Sequence, residues 1–143
     1  MTRPPRRGVT LIELLVAIMI VGILGAIAYP SYQTQVMRTR RAAAAGCLME
    51  YAQFMERVYT GNLRYDQNDG AATALPTLAC ANDSSAYYGY AFASGQPQQR
   101  SYTLQAAPRG VQATRDTACA TLGLNQAGTK TVSGSGSVAD CWK

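Results

Sequence analysis

With 143 residues and a formal net charge of +5, the chain has room for one domain plus an anchor. It contains no histidine, which removes His-based triads, imidazole metal ligands and the usual general base near neutral pH. The carboxylates beyond the first segment (Glu50, Glu56, Asp66, Asp69, Asp83, Asp116, Asp140) are scattered and form no acid–base pair, so neither an enzyme nor a metal or cofactor site is expected. Asp66 and Asp69 could touch a cation, but two carboxylates in a loop are more simply solvated.

The chain opens on a basic leader, residues 1–8, carrying Arg3, Arg6 and Arg7 around Pro4 and Pro5. These arginines make the high pI largely a property of the leader, and nucleic acid is not a partner the sequence supports. From Val9 to Tyr29 follow 21 residues whose only charged member is Glu13. As a helix they span roughly 30 Å, enough to cross a bilayer core. A carboxylate placed deep in that core costs on the order of 2.5–3.5 kcal/mol, so something should offset Glu13. An ordinary secretory signal cut after Ala28 is the rival reading. Secretory apolar cores run about 7–15 residues, however, and this one is longer and contains a glutamate.

Within the anchor, Gly22 and Ala26 are four apart, with Gly25 beside them, a small-residue face that lets helices approach closely. Pro30 cannot donate to the Ala26 carbonyl and should kink the helix. Tyr29 and Tyr32 flank it, where amphipathic rings suit a membrane interface. Beyond Pro30 the apolar residues Ala44, Cys47, Leu48, Tyr51, Met55 and Val58 recur at three- and four-residue steps. The helix is therefore expected to continue, with its second half laying an apolar stripe on a soluble head, and to stop at Gly61-Asn62.

Residues 61 to about 86 read as a polar loop pinned by Cys80. Three strands are expected at 87–92, 101–106 and 118–124, from the alternation of Tyr102, Leu104 and Ala106 and of Ala120, Leu122 and Leu124. Gly95-Gln96-Pro97 and Asn125 to Gly128 read as turns, and Ser133 to Ser137 as a flexible stretch. Trp142 is expected to pack the chain end onto the sheet. The four cysteines (Cys47, Cys80, Cys119, Cys141) lack the close spacing of a zinc or redox motif and read as two disulfides with three possible pairings. Arginines before the anchor (Arg3, Arg6, Arg7) match those after it (Arg38, Arg40, Arg41), so charge does not set topology. Disulfides do, placing the C-terminal domain in the periplasm and the leader in the cytoplasm.

Gly8-Val9-Thr10-Leu11-Ile12-Glu13-Leu14 resembles the N-terminal signature of type IV pilins and pseudopilins. Arg115-Asp116 before Cys119, Leu122 to Asn125, Gly128 and the ending Asp140-Cys141-Trp142-Lys143 look most like the PilE-like branch of minor pilins. The resemblance implies cleavage between Gly8 and Val9 by a prepilin peptidase, N-methylation of the new terminus, and an assembly role for Glu13. Most members carry Phe where this chain has Val9. It also implies the C-terminal loop disulfide Cys119–Cys141. For the other two cysteines, sequence proximity favours Cys47–Cys80.

The expected fold is α+β, a long N-terminal helix packed on a small antiparallel sheet. Its organisation would be leader 1–8, transmembrane and assembly helix 9–30, and periplasmic head 31–143. By resemblance the chain is a minor pilin, a structural subunit of the type IV pilus acting in pilus initiation and hence in twitching motility or adhesion. Its partners would be major and minor pilins through the N-terminal helix, the prepilin peptidase and the inner-membrane assembly machinery. It would sit in the bacterial inner membrane before assembly and on the cell-surface pilus afterwards. Two alternatives are a type II secretion pseudopilin, which generally lacks the C-terminal disulfide loop, and a DNA-uptake or adhesive pilin. The latter would need basic side chains such as Arg100, Arg109, Arg115 and Lys130 to converge.

Overall fold

The computed structural model describes residues 8–143, so Arg3, Arg6 and Arg7 lie outside the described residues. One helix, α1, runs from Leu11–Asn62. After it come β1 (Gln67–Asn68), β2 (Ala71–Ala72), α2 (Ala79–Asp83), β3 (Tyr88–Phe92), β4 (Thr103–Pro108), α3 (Gly110–Arg115), β5 (Leu122–Asn125), β6 (Lys130–Val132) and α4 (Val138–Cys141). The chain divides into two compact units at Val36–Met37.

In the first unit α1 is helical through Gly22, Gly25 and Pro30, and Thr34 Oγ1 donates to the Pro30 carbonyl at 3.1 Å. The large apolar side chains from Leu11 to Ile27 are all exposed. The stretch is long and apolar enough to cross a membrane.

In the second unit α1 continues with one buried stripe: Ala44, Ala45, Cys47, Leu48, Tyr51, Met55 and Val58. Their three- and four-residue steps place them on one face, and that face joins the inner face of a four-stranded antiparallel sheet ordered β3-β4-β5-β6. Register aligns Tyr90 with Ala106, Ala106 with Leu122, and Leu122 with Val132, so alternate residues of successive strands stack on the core side. Burying these side chains supplies on the order of 1.5–3 kcal/mol for each large one.

The strands differ in places from their expected spans. Residues 118–120 are not strand, because Ala120 takes φ +49° and its N–H bonds the Asp116 carbonyl in a tight turn. Strand pairing resumes only at Leu122. The loop expected over 61–86 contains the hairpin β1–β2, turned by Asp69-Gly70 with both φ positive, the backbone a two-residue hairpin favours. The stretch expected to be flexible ends in α4, whose N-cap Ser137 accepts from the Asp140 N–H at 3.1 Å.

Candidate functional site

The first candidate region is the start of α1. Thr10 precedes the helix and its Oγ1 accepts the Glu13 N–H at 3.3 Å, while its carbonyl accepts the Leu14 N–H at 3.2 Å. Thr10 thus satisfies one of the helix's unpaired first-turn donors through its side chain, and Glu13 lies where the helix dipole favours negative charge. Gly8, Val9 and Glu13 are all exposed, with Val9 at 70%. No ion pair engages Glu13 among the described residues. One carboxylate stands alone at the head of an apolar surface that has no cover of its own.

The second region is the covalent framework of the head. Cys47 of α1 is joined to Cys80 of α2 across 33 residues, and Cys119 to Cys141 of α4 across 22. The second disulfide holds the chain end against the turn before β5, where the Gly136 N–H bonds the Ala118 carbonyl at 2.7 Å. Gly134 passes so close to that carbonyl that any side chain there would collide with it. Trp142 Nε1 donates to the Thr131 carbonyl at 3.1 Å, and the ring lies 5.1 Å from Lys130 Nζ, closing the loop over β6.

Sequence reasoning missed the polar centre of the head. Asp116, just past α3, is 6% exposed and pairs with Arg41 of α1 at 2.5 Å. Gln112 is fully buried, its Nε2 lying 2.9 Å from Asp116 Oδ2, 3.1 Å from the Met37 carbonyl and 3.2 Å from the Tyr88 hydroxyl. Burial pushes the Tyr88 hydroxyl up to about 12, against the Gln112 hydrogen bond, which lowers it. A second cluster forms where the Tyr65 and Tyr102 hydroxyls each donate to Glu56 Oε1 at 3.1 Å. Burial first, and then the Glu56 charge, pushes Tyr65 up to about 12. Through Arg41, the Met37 carbonyl and the exposed Glu56, these bonds tie α1 to the rest of the head. The sequence separation of 75 residues between Arg41 and Asp116 left no local signal of their pairing.

The four basic residues Arg100, Arg109, Arg115 and Lys130 are divided between the two ends of β4. Arg109 is the N-cap of α3 at one end of β4 and Arg115 is that helix's last residue; Arg100 precedes β4 at its other end, where Lys130 joins it through the Leu104–Leu124–Lys130 register. With about 3.4 Å per residue, the two pairs stand roughly 20 Å apart along the strand. Among the described residues no group of acids and cysteines could hold a metal ion.

Residues 30–123 match the family model "Type IV minor pilin ComP, DNA uptake sequence receptor". Residues 3–29 match the prokaryotic N-terminal methylation motif. No curated protein matches. Among solved structures, the non-core minor pilin PilV of Neisseria meningitidis is similar at 25% identity, over 70% of this chain and 89% of that one, with a TM-score of 0.47.

Proposed function

We propose the following working cycle for a chain that belongs to the type IV minor pilin family ComP. It is a structural subunit of the type IV pilus with a methylation-type N-terminus. The leader 1–8 is removed between Gly8 and Val9 by the prepilin peptidase, and the new terminus is methylated. The anchor 9–30 then holds the subunit in the inner membrane, with head 31–143 in the periplasm, where Cys47–Cys80 and Cys119–Cys141 form. Assembly transfers the apolar helix from lipid to the helices of other major and minor pilins. The machinery of the inner membrane drives that transfer, and pilus initiation and its effects on motility or adhesion follow from it.

The observation that carries this reading is the apolar first half of α1, exposed on all sides with one carboxylate in its first turn. Cleavage gives Val9 an α-amino group with a reference pKa near 8, which methylation leaves cationic. Glu13 sits about 6 Å further along the axis, so a neighbouring subunit's terminus approaches it more directly than its own does. Burying that carboxylate among apolar helices is costly unless a cation meets it, which makes the pairing a device for register. Glu13→Val is expected to be processed, membrane-inserted and disulfide-bonded, yet absent from sheared pili. Entry into pili at the wild-type level overturns the assembly role and leaves Glu13 as a helix N-terminal residue worth about 0.3–1 kcal/mol.

A second reading is favoured by the match over 30–123, whose family is described as a DNA uptake sequence receptor. The head would then meet duplex phosphates at separated points, with exposed Arg100 at one end of β4 and exposed Arg109 at the other, and not through one converged patch. Selection from a random duplex pool by the full chain tests it. Enrichment of one motif supports a receptor; uniform, salt-sensitive retention reduces the reading to non-specific attraction.

A further inference from the structure

Strand β3 forms one edge of the sheet, and half of its backbone is unpaired. The Ala93 N–H bonds the Thr103 carbonyl and the Arg109 N–H bonds the Tyr87 carbonyl. In the same register Gly89 pairs with Ala107 and Ala91 with Gln105, so these residues direct their N–H and C=O groups toward β4. The alternation turns those of Tyr90 and Phe92 outward, to the free edge. Among the described residues no backbone partner meets either pair, whereas the Tyr88 N–H is already taken by the Ser84 carbonyl at 2.9 Å. At the opposite edge α4 and Trp142 lie against β6; beside β3 the neighbouring element is α2, whose flank meets the strand near Tyr88 and leaves the Tyr90 and Phe92 backbone groups without a partner among the described residues.

A cleft of 250 Å³ adjoins this edge, its lining including Thr77, Asn82, Ser85, Tyr90 and Arg109. The Arg109 guanidinium lies over Gly89, in the space a side chain would fill there. Arg109 is exposed and makes no ion pair among the described residues. Toward the core the cleft meets Leu75, Pro76 and Tyr51, whose ring contacts that of Tyr90 at 5.6 Å.

We propose that the β3 edge and Arg109 together form a strand-addition site for an extended segment of another protein chain bearing an acidic residue. Backbone pairing with Tyr90 and Phe92 would add a fifth strand to the sheet. Residues opposite each other on neighbouring strands project to the same face. The partner residue opposite Gly89 therefore reaches Arg109 and is acidic, for a forked guanidinium–carboxylate pair. The residue opposite Tyr90 faces Leu75 and Tyr51 and is apolar. A lone cation beside a narrow slot suits one carboxylate on a peptide; a duplex needs several cations along its path. The site goes beyond the subunit role above and does not depend on it.

The test uses the full disulfide-bonded chain in detergent micelles and the capped peptide Ac-Thr-Asp-Val-Thr-Val-NH2, followed by amide exchange and NMR. Saturating peptide is expected to slow exchange of the Tyr90 and Phe92 amides about tenfold or more while leaving Ala91 unchanged. Arg109→Glu, an exposed position, should weaken this peptide about tenfold, the loss typical of a charged hydrogen bond, and the Asp→Lys peptide should restore binding to that variant. Unchanged Tyr90 and Phe92 exchange at millimolar peptide overturns the site. So does equal affinity in Arg109→Glu, or displacement of the peptide by a DNA duplex that protects the same amides.

Discussion

Arg41 and Asp116 show what a single pairing does inside so small a head. Each charge was taken out of water, and the ion pair with its Gln112 hydrogen bond replaces that hydration. Arg41→Ala leaves Asp116 buried without a cation, which is expected to cost about 3–5 kcal/mol, read as a lower urea midpoint. The tyrosines give a pH signature with a definite sign. Tyr65 and Tyr88 are pushed up to about 12 when folded against 10 when unfolded, so the folded chain holds their protons longer. The resulting stability is complete below pH 10 and is lost as pH rises from 10 to 12. Tyrosinate absorbance of the folded protein should therefore include a late component near pH 12, and the melting temperature should fall across that window.

Among the elements, α1 was the most legible. Its apolar run and the three- and four-step stripe from Ala44 to Val58 are local, repetitive signals, and helices answer to local signals. The end of α1 was legible only in part. Asn62 closes it, but the left-handed residue after it is Leu63, with φ +55°, while Gly61 stays helical. Leucine pays a steric penalty there that glycine does not, so Leu63→Gly is expected to stabilise the head by about 1 kcal/mol in urea unfolding. Strands β4 and β5 were visible through alternation. The hairpin β1–β2 was missed although Asp69-Gly70 is its turn signal, because two-residue strands are too short to show a period. Helix α3 was missed for a different reason: Gly110 to Arg115 has few apolar residues, and its buried contribution is the polar Gln112.

At the scale of the whole molecule two terms stand out: the apolar first half of α1, whose large side chains are exposed, and a head that closes on itself through two disulfides. The cysteine count made disulfides legible, and the Gly8 to Leu14 signature with the Cys141-Trp142 ending pointed to the pilin class. Arg41–Asp116 was not legible, since a contact across 75 residues depends on the finished packing. Replacing Cys119 and Cys141 by serine is expected to cost roughly 3 kcal/mol on the chain-entropy estimate for a 22-residue separation, measured as a loss of urea stability. Intact mass of the membrane-extracted protein should give a chain beginning at Val9. One beginning at Tyr29 would return the anchor to an ordinary signal peptide.

The bond between Cys47 and Cys80 also decides how the head carries load. A subunit gripped by the N-terminal half of α1 feels any tug through that helix. Noncovalent packing along the buried stripe would yield one side chain at a time, letting the helix slip past the sheet like a drawn bolt. With Cys47 riveted to α2, tension arriving along α1 passes into the 75–85 segment before the stripe beyond Cys47 is sheared. The part of the core from Leu48 to Val58 therefore lies in the mechanical shadow of the rivet, and reducing that one bond would bring it under strain.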